Sequence, residues 1–218
     1  MSDAVAVRAV PDGRKVELHP VDAKEWLRTG SAIEYTPFPW GLKSGAMQQP
    51  ETDTALVVGT GPTARADLSL IDTSRVTLIA VNDAVWKIPA PWVHLMTWHA
   101  EFIESKFRRG FMERGFKNED WPCVHVAEST MVSDVKGEPD CVWACGNPKG
   151  SSSLIAAGMA LSMGFKQVVV AGCPLGPREK YKTFRQGWID HKWMLEGKVL
   201  GVSGWIARNF GRYENGKA

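Results

Sequence analysis

Residues 55–64 read ALVVGTGPTA, and the fold turns on how that string is read. ALVVG is apolar without alternation, the pattern of a strand covered on both faces. GTGPT then makes a turn. Its glycines permit tight turning and close backbone approach, and Thr63 is placed to cap a short helix over ARADLSLID. Unpaired N–H groups at such a helix start suit a phosphate. Yet the string is not the G-x-G-x-x-G dinucleotide fingerprint, because Ala64 stands at the third glycine position and Pro62 interrupts it. Nor is it a P-loop, since no Gly-Lys-Ser/Thr follows. A purely structural turn fits as well, so the neighbouring sequence must decide.

Outward from this point, similar runs recur: VTLIAV (76–81), WVHLMT (92–97), CVHVA (123–127), QVVVAG (167–172) and, more weakly, KVLGVS (198–203). Helix-forming stretches lie between them at 99–115, 151–165 and 179–197. Strand–helix alternation of this kind predicts an α/β fold, a mostly parallel sheet with helices on both faces, over residues 54–218. Before it, residues 1–36 read as a small separate module. Two β-prone runs flank Pro11, Asp12 and Gly13 as a hairpin, and a short helix is expected over 21–30. Residues 37–53, with Pro37, Pro39 and Pro50, read as a linker or a strap lying on the main domain. The module carries no chemistry and suits docking or homo-oligomerisation.

Bulk composition excludes more than it selects. A chain of 218 residues with 44% hydrophobic and 23% charged content has enough apolar material for one sizeable core. A net charge of +2 demands neither nucleic acid nor a membrane surface as partner. No apolar run approaches the roughly 18 residues that span a bilayer, and the N-terminus lacks the order of a signal peptide, so the expected location is the cytoplasm. Cys123, Cys141, Cys145 and Cys173 then read as reduced thiols. Cys141 and Cys145 form a lone C-x3-C, so no metal ligand set is expected. The ten tryptophans serve core packing or a planar, sugar-like ligand.

Ligands of open α/β sheets bind at the C-terminal ends of the strands, which makes the residues after each strand the candidates. Gly59, Thr60, Gly61, Pro62 and Thr63 follow the first run, and Asn82 and Asp83 follow the second. The latter two are either turn formers or hydrogen-bonding partners for a base or ribose. His99 follows the third run at a helix start, where it is a surface cap or a neutral base. Ser151, Ser152 and Ser153, with Lys149 beside them, open an apolar helix and offer hydroxyls and N–H groups to an anion. One serine as an ordinary N-cap explains the same residues. In the last long helix Tyr181, Arg185 and Trp188 share a face, followed by His191. They suit either a lid gripping a phosphate or a solvated helix with an aromatic stripe.

Taken together, GTGPT, the Asn after the second strand and GSSSLIAAGMALSMGFKQVVVAG resemble the small bacterial sialyltransferases of the single-Rossmann-domain type. They also resemble the related Rossmann-like family that includes archaeal hydroxymethyldihydropterin pyrophosphokinases, and small bacteriophage proteins of unassigned function. The resemblance implies a Rossmann-like nucleotide-binding domain and a transferase using a nucleotide-activated donor, a glycosyltransferase above all, acting on a hydroxyl acceptor. It implies that Gly59, Thr60, Gly61, Asn82 and residues 151–153 hold the small-molecule nucleotide, and that Tyr181 and His191 are lid residues. His191 or His99 would act as the base and Arg185 would face the leaving phosphate. The pyrophosphokinase alternative implies Mg²⁺ on carboxylates, for which only Asp83 and Glu101 are placed; a non-catalytic nucleotide-binding or assembly protein is the third alternative. The chain departs from the family in reading Gly172, Cys173, Pro174 where an acidic residue is usual. Lys106, Arg108, Arg109 and Arg114 admit a nucleic-acid acceptor without requiring one. A phage origin would place the protein in the host cytoplasm.

Overall fold

A computed structural model describes residues 5–9, 15–18, 32–34, 40–46, 50–128, 138–145 and 149–214. Near the N-terminus, β1 (Val5–Ala9) pairs antiparallel with β2 (Lys15–Leu18) and with β3 (Ala32–Glu34), giving the order β2-β1-β3. The two strands expected to flank residues 11–13 therefore pair, joined by a third, and the turn itself lies outside the described residues. The helix expected over 21–30 lies outside the described residues.

The main sheet has eight strands: β4 (Gly41–Ser44), β5 (Thr54–Val58), β6 (Thr77–Val81), β7 (His94–Thr97), β8 (Cys123–Ala127), β9 (Cys141–Ala144), β10 (Gln167–Ala171) and β11 (Val199–Gly201). Their order is β11-β10-β5-β6-β7-β8-β9-β4, and every pair is parallel except β4 with β9. The chain thus begins the parallel sheet in its middle, builds outward to β9, and returns to lay β10 on the other side of β5. That return is made by α4 (Ser152–Ser162), whose residues 153–161 are all buried. β5 and β6 are buried along their whole length, as their unbroken apolar runs require.

The two faces carry separate cores. One joins Leu56, Leu78, Leu95 and Val169 to α1 (Ala64–Leu68), α2 (Ala84–Lys87) and α3 (Arg109–Glu113). The other joins Val57, Ile79, Met96 and Val170 to α4, α5 (Lys182–Asp190), α6 (Lys192–Leu195) and α7 (Gly204–Phe210). Helices therefore cover both faces, as the alternation predicts.

Three local departures from the sequence expectation have physical reasons. First, residues 40–46, within the segment expected as a linker or strap, join the main sheet: β4 adds an antiparallel edge strand, and Trp40 is 3% exposed in the core. Its ring takes the space that a Cβ at Gly158 would fill, and the Trp40 backbone N–H donates to Ser162 Oγ at 2.8 Å. Second, the single helix expected over 99–115 is a 3₁₀ turn (Ala100–Phe102), a π-helical stretch (Ile103–Arg108) and then α3. Ile103 and Phe107, four apart on this stretch, both face the core, at 0% and 1% exposure. Third, the helix expected over 179–197 breaks at His191, between α5 and α6.

Candidate functional site

The turn after β5 packs against the turn after β10 with almost no space between them. Gly59 N–H donates to the Ala171 carbonyl at 2.9 Å, and Gly61 N–H donates to the Gly172 carbonyl at 2.8 Å. A Cβ on Gly61 would lie 2.5 Å from the Gly172 oxygen and 2.6 Å from Pro174 Cδ. Gly172 itself has φ +65°, and its own Cβ would meet the Gly59 oxygen at 2.5 Å. These glycines exist for backbone-to-backbone packing. The N–H groups of Gly59 and Gly61 are used inside the protein.

Asp67 completes this seam. It is 3% exposed, and its Oδ2 accepts from Gly172 N at 2.8 Å, Thr63 Oγ1 at 2.9 Å and Ser203 Oγ at 3.0 Å. Thr63 takes the N-cap position of α1 but makes no side-chain cap bond, because its hydroxyl goes to Asp67. Pro62 is exposed. Asp67 went unnoticed in the sequence because a lone acid in the first turn of a short helix looks like an ordinary favourable charge.

One strand over, the arrangement opens. A cavity of about 230 Å³ is lined by Thr60, Asn82, Asp83, His99, Phe102, Lys106 and Phe107. Four of these are sequence candidates brought together from the ends of β5, β6 and β7. Asn82 has φ +50°, a left-handed conformation that asparagine tolerates better than most residues. Its side chain is fixed on both sides. Thr97 Oγ1 donates to Asn82 Oδ1 at 2.9 Å, and Asn82 Nδ2 donates to Ser152 Oγ at 3.3 Å. Thr97 Oγ1 in turn accepts from His99 N–H at 3.0 Å, so one threonine aligns two candidate residues.

Charge in the cavity comes in matched pairs. Lys106 Nζ lies 2.6 Å from Asp83 Oδ1, and Lys87 Nζ lies 3.5 Å from Asp83 Oδ2. Partial burial works to raise the Asp83 pKa, but these two ammonium groups outweigh it and hold the carboxyl below its usual range. The exposed His99 places Nδ1 3.0 Å from Glu101 Oε1. Slight burial opposes the charge on Glu101, yet its own backbone N–H and His99 hold it low. A carboxylate on one imidazole nitrogen leaves the other, Nε2, to exchange a proton.

The serine turn divides its labour. Ser151, 2% exposed, is the N-cap of α4: its Oγ accepts from Leu154 N at 3.4 Å and from Trp188 Nε1 at 3.0 Å. Ser153 is also buried, with its Oγ 3.3 Å from that of Ser151. Only Ser152 reaches toward the cavity, through Asn82. Lys149 pairs with the buried Asp190 of α5, which ties the turn to that helix.

The lid expected from α5 is not formed by the expected residues. Tyr181 and Arg185 are half-buried and do not line the cavity, and the Tyr181 ring packs 6.1 Å from that of Phe184. His191, expected as a lid base, is 3% exposed, its Nδ1 donating to the Gly187 carbonyl at 2.8 Å and its ring edge-on to Trp40 at 6.3 Å. The strap residue Trp40 is what encloses it. Of the two expected histidines, His99 alone meets solvent at the cavity.

Comparison with protein-family models finds no match, and neither the curated proteins nor the solved structures yield one.

Proposed function

We propose that the chain is a Rossmann-like, nucleotide-donor-dependent transferase of the glycosyltransferase kind, with the cavity at the ends of β5, β6 and β7 as its donor site and His99 as its base. The observation that carries this is the His99–Glu101 pair opening on the same cavity as Asn82, Thr60 and a lysine. In the transfer step the acceptor hydroxyl gives its proton to His99 Nε2 as its oxygen bonds to the donor carbon. The bond from that carbon to the nucleotide phosphate breaks, and the departing oxygen takes the electron pair. Lys106 then offers its charge to the leaving phosphate, exchanging it for Asp83. A cavity of about 230 Å³ is below the roughly 300–1,000 Å³ of sites that enclose a drug-sized ligand. It therefore suits the phosphate and sugar, with the base lying outside.

Sheet topology supports only the coarse part of the fold, a mostly parallel α/β sheet begun at an inner strand; the β5/β10 crossover is the packed seam, and the cavity lies one strand over. The pyrophosphokinase alternative is weaker on electrostatics. Both carboxylates available to Mg²⁺, Asp83 and Glu101, already face cationic or imidazole partners.

The test is thermal unfolding with nucleoside mono- and diphosphates and sugar nucleotides. A donor at a hundredfold excess over Kd adds about 2.7 kcal/mol, which raises Tm by roughly 5–10 °C in a chain of this size. No shift with any nucleotide overturns the proposal. With a donor in hand, His99→Ala is expected to lower transfer about 10²–10⁴-fold while donor binding stays intact. Unchanged turnover would remove His99 from the mechanism.

A further inference from the structure

At the opposite end of the sheet, where β7, β8 and β9 begin, three metal-ligating side chains converge and a fourth adjoins one of them. His94 and Cys123 are register partners across β7 and β8, and His125 and Cys141 are register partners across β8 and β9. Cys123 and His125 are two apart on one strand and so share a face. His94, His125 and Cys141 are buried, and Cys123 is half-buried. One donor atom each from His94, Cys123 and His125 lies within 4.8 Å of the other two. Cys141 Sγ adjoins them, 3.8 Å from Cys123 Sγ.

We propose that His94, Cys123 and His125, with Cys141 as fourth ligand, form a structural Zn²⁺ site that clamps β7, β8 and β9. It is independent of the proposed transferase cavity, which lies past the other ends of these strands.

Distances carry the proposal. Tetrahedral zinc with Zn–S of about 2.3 Å places two thiolate sulfurs about 3.8 Å apart, and with Zn–N of about 2.0–2.1 Å places two nitrogens about 3.3 Å apart. Cys123 Sγ and Cys141 Sγ stand 3.8 Å apart, and His125 Nε2 and His94 Nδ1 stand 3.0 Å apart. Two thiolates and two imidazoles are a set that zinc takes in closed, four-coordinate structural sites. Both pairs come from adjacent strands, so the backbone ladder preorganises them. The clamp also sits near one edge of the sheet, where β9 has four residues and its partner β4 has an irregular register.

Without metal, the same atoms form a hydrogen-bonded chain. Trp143 Nε1–H donates to His125 Nδ1 at 3.0 Å, which leaves the His125 proton on Nε2 to be shared with His94 Nδ1. When Zn²⁺ binds, the two thiol protons go to solvent and the His125 proton moves from Nε2 to Nδ1, freeing Nε2 for the metal. His125 then carries its proton on Nδ1, where the Trp143 N–H can no longer donate, so the indole must turn aside. This gives a second, local readout of loading.

The full-length chain, purified under reducing conditions, is titrated with Zn²⁺ and with Co²⁺. The expected result is uptake of about one equivalent. Co²⁺ should develop tetrahedral visible bands and thiolate charge transfer, and the indole ¹H–¹⁵N resonance of Trp143, assigned through Trp143→Phe, should shift with the same stoichiometry. Cys123→Ser, close in shape, should roughly halve the thiolate charge transfer, leaving that of Cys141, and weaken Zn²⁺ at least tenfold while keeping the parent's circular dichroism. Should that variant fail to fold, His94→Gln gives the same comparison. No stoichiometric uptake, uptake unaltered by either variant, or a Cys123–Cys141 disulfide in the protein as isolated from cells would each overturn the site.

Discussion

The turns after β5 and β6 leave adjacent parallel strands at the same end of one sheet, yet their polar groups are used differently. In the first, Gly59 N–H, Gly61 N–H and the Thr63 hydroxyl all point into the protein, where Asp67 and the turn after β10 take them. In the second, Asn82 and Asp83 hold a cavity open, with His99 and Lys106 beside it. The glycine-rich turn, which looks most like a ligand loop, is a packing seam. The glycine-free turn next to it has the geometry of a site. Glycine allows close approach without saying whether a ligand or another backbone does the approaching.

Asp67→Ala should give the largest effect. It removes the acceptor of three hydrogen bonds in a buried setting. Bonds to charged groups are worth about 1.5–3 kcal/mol each and are not additive. A loss of about 3 kcal/mol or more in urea unfolding is expected. Donor affinity, measured on the folded fraction, should change little. A variant as stable as the parent would mean that the seam does not hold these turns together.

Gly61→Ala is milder and more specific. The added methyl meets the Gly172 oxygen and Pro174 rather than solvent, so the two turns must part by several tenths of an ångström. A cost of about 1–3 kcal/mol is expected, in the range of overpacking. If Gly61 served a phosphate instead, the same change would leave stability intact and abolish the nucleotide-dependent rise in Tm. The two outcomes separate packing from binding at one atom.

The same contrast explains what the sequence made legible. Six strands and the α4 helix follow from apolar runs of recognisable period, and their positions agree with the structure to within two or three residues. Asn82, Asp83, His99 and Thr60 line one cavity because they end such runs, and the ends of adjacent parallel strands lie side by side. β9 (CVWA) and β4 (GLKS) are not among those six strands; GLKS has no apolar run to mark a strand. His191 was misplaced because its burial depends on Trp40, 151 positions away in the chain, folding over it. Lys106 read as one charge in a basic run; only the π-helical stretch turns it toward Asp83. The His94–Cys123–His125–Cys141 group was invisible for a similar reason, since its spacing is set by sheet register rather than by the chain.

The smallest effect tests whether the cavity's cation is held in reserve for an anion. Asp83 titrates below its ordinary value because Lys106 and Lys87 outweigh the opposing effect of partial burial. A carboxylate whose folded pKa is depressed contributes stability that is complete above the unfolded value, about 3.9. That contribution is lost as pH falls through the lower folded value. Both lysines are substantially exposed, so solvent screening keeps it under about 1 kcal/mol. Asp83→Asn should therefore cost less than about 1 kcal/mol at neutral pH and nothing in strong acid, where the parent carboxyl is protonated too. Its effect on binding should have the opposite sign. With Asp83 neutral, Lys106 has no carboxylate to give up before it meets a phosphate, and affinity for inorganic phosphate or a nucleotide should rise by about threefold, a change of under 1 kcal/mol. Weaker binding in Asp83→Asn would instead make the carboxylate a ligand contact, and would move the anion away from Lys106.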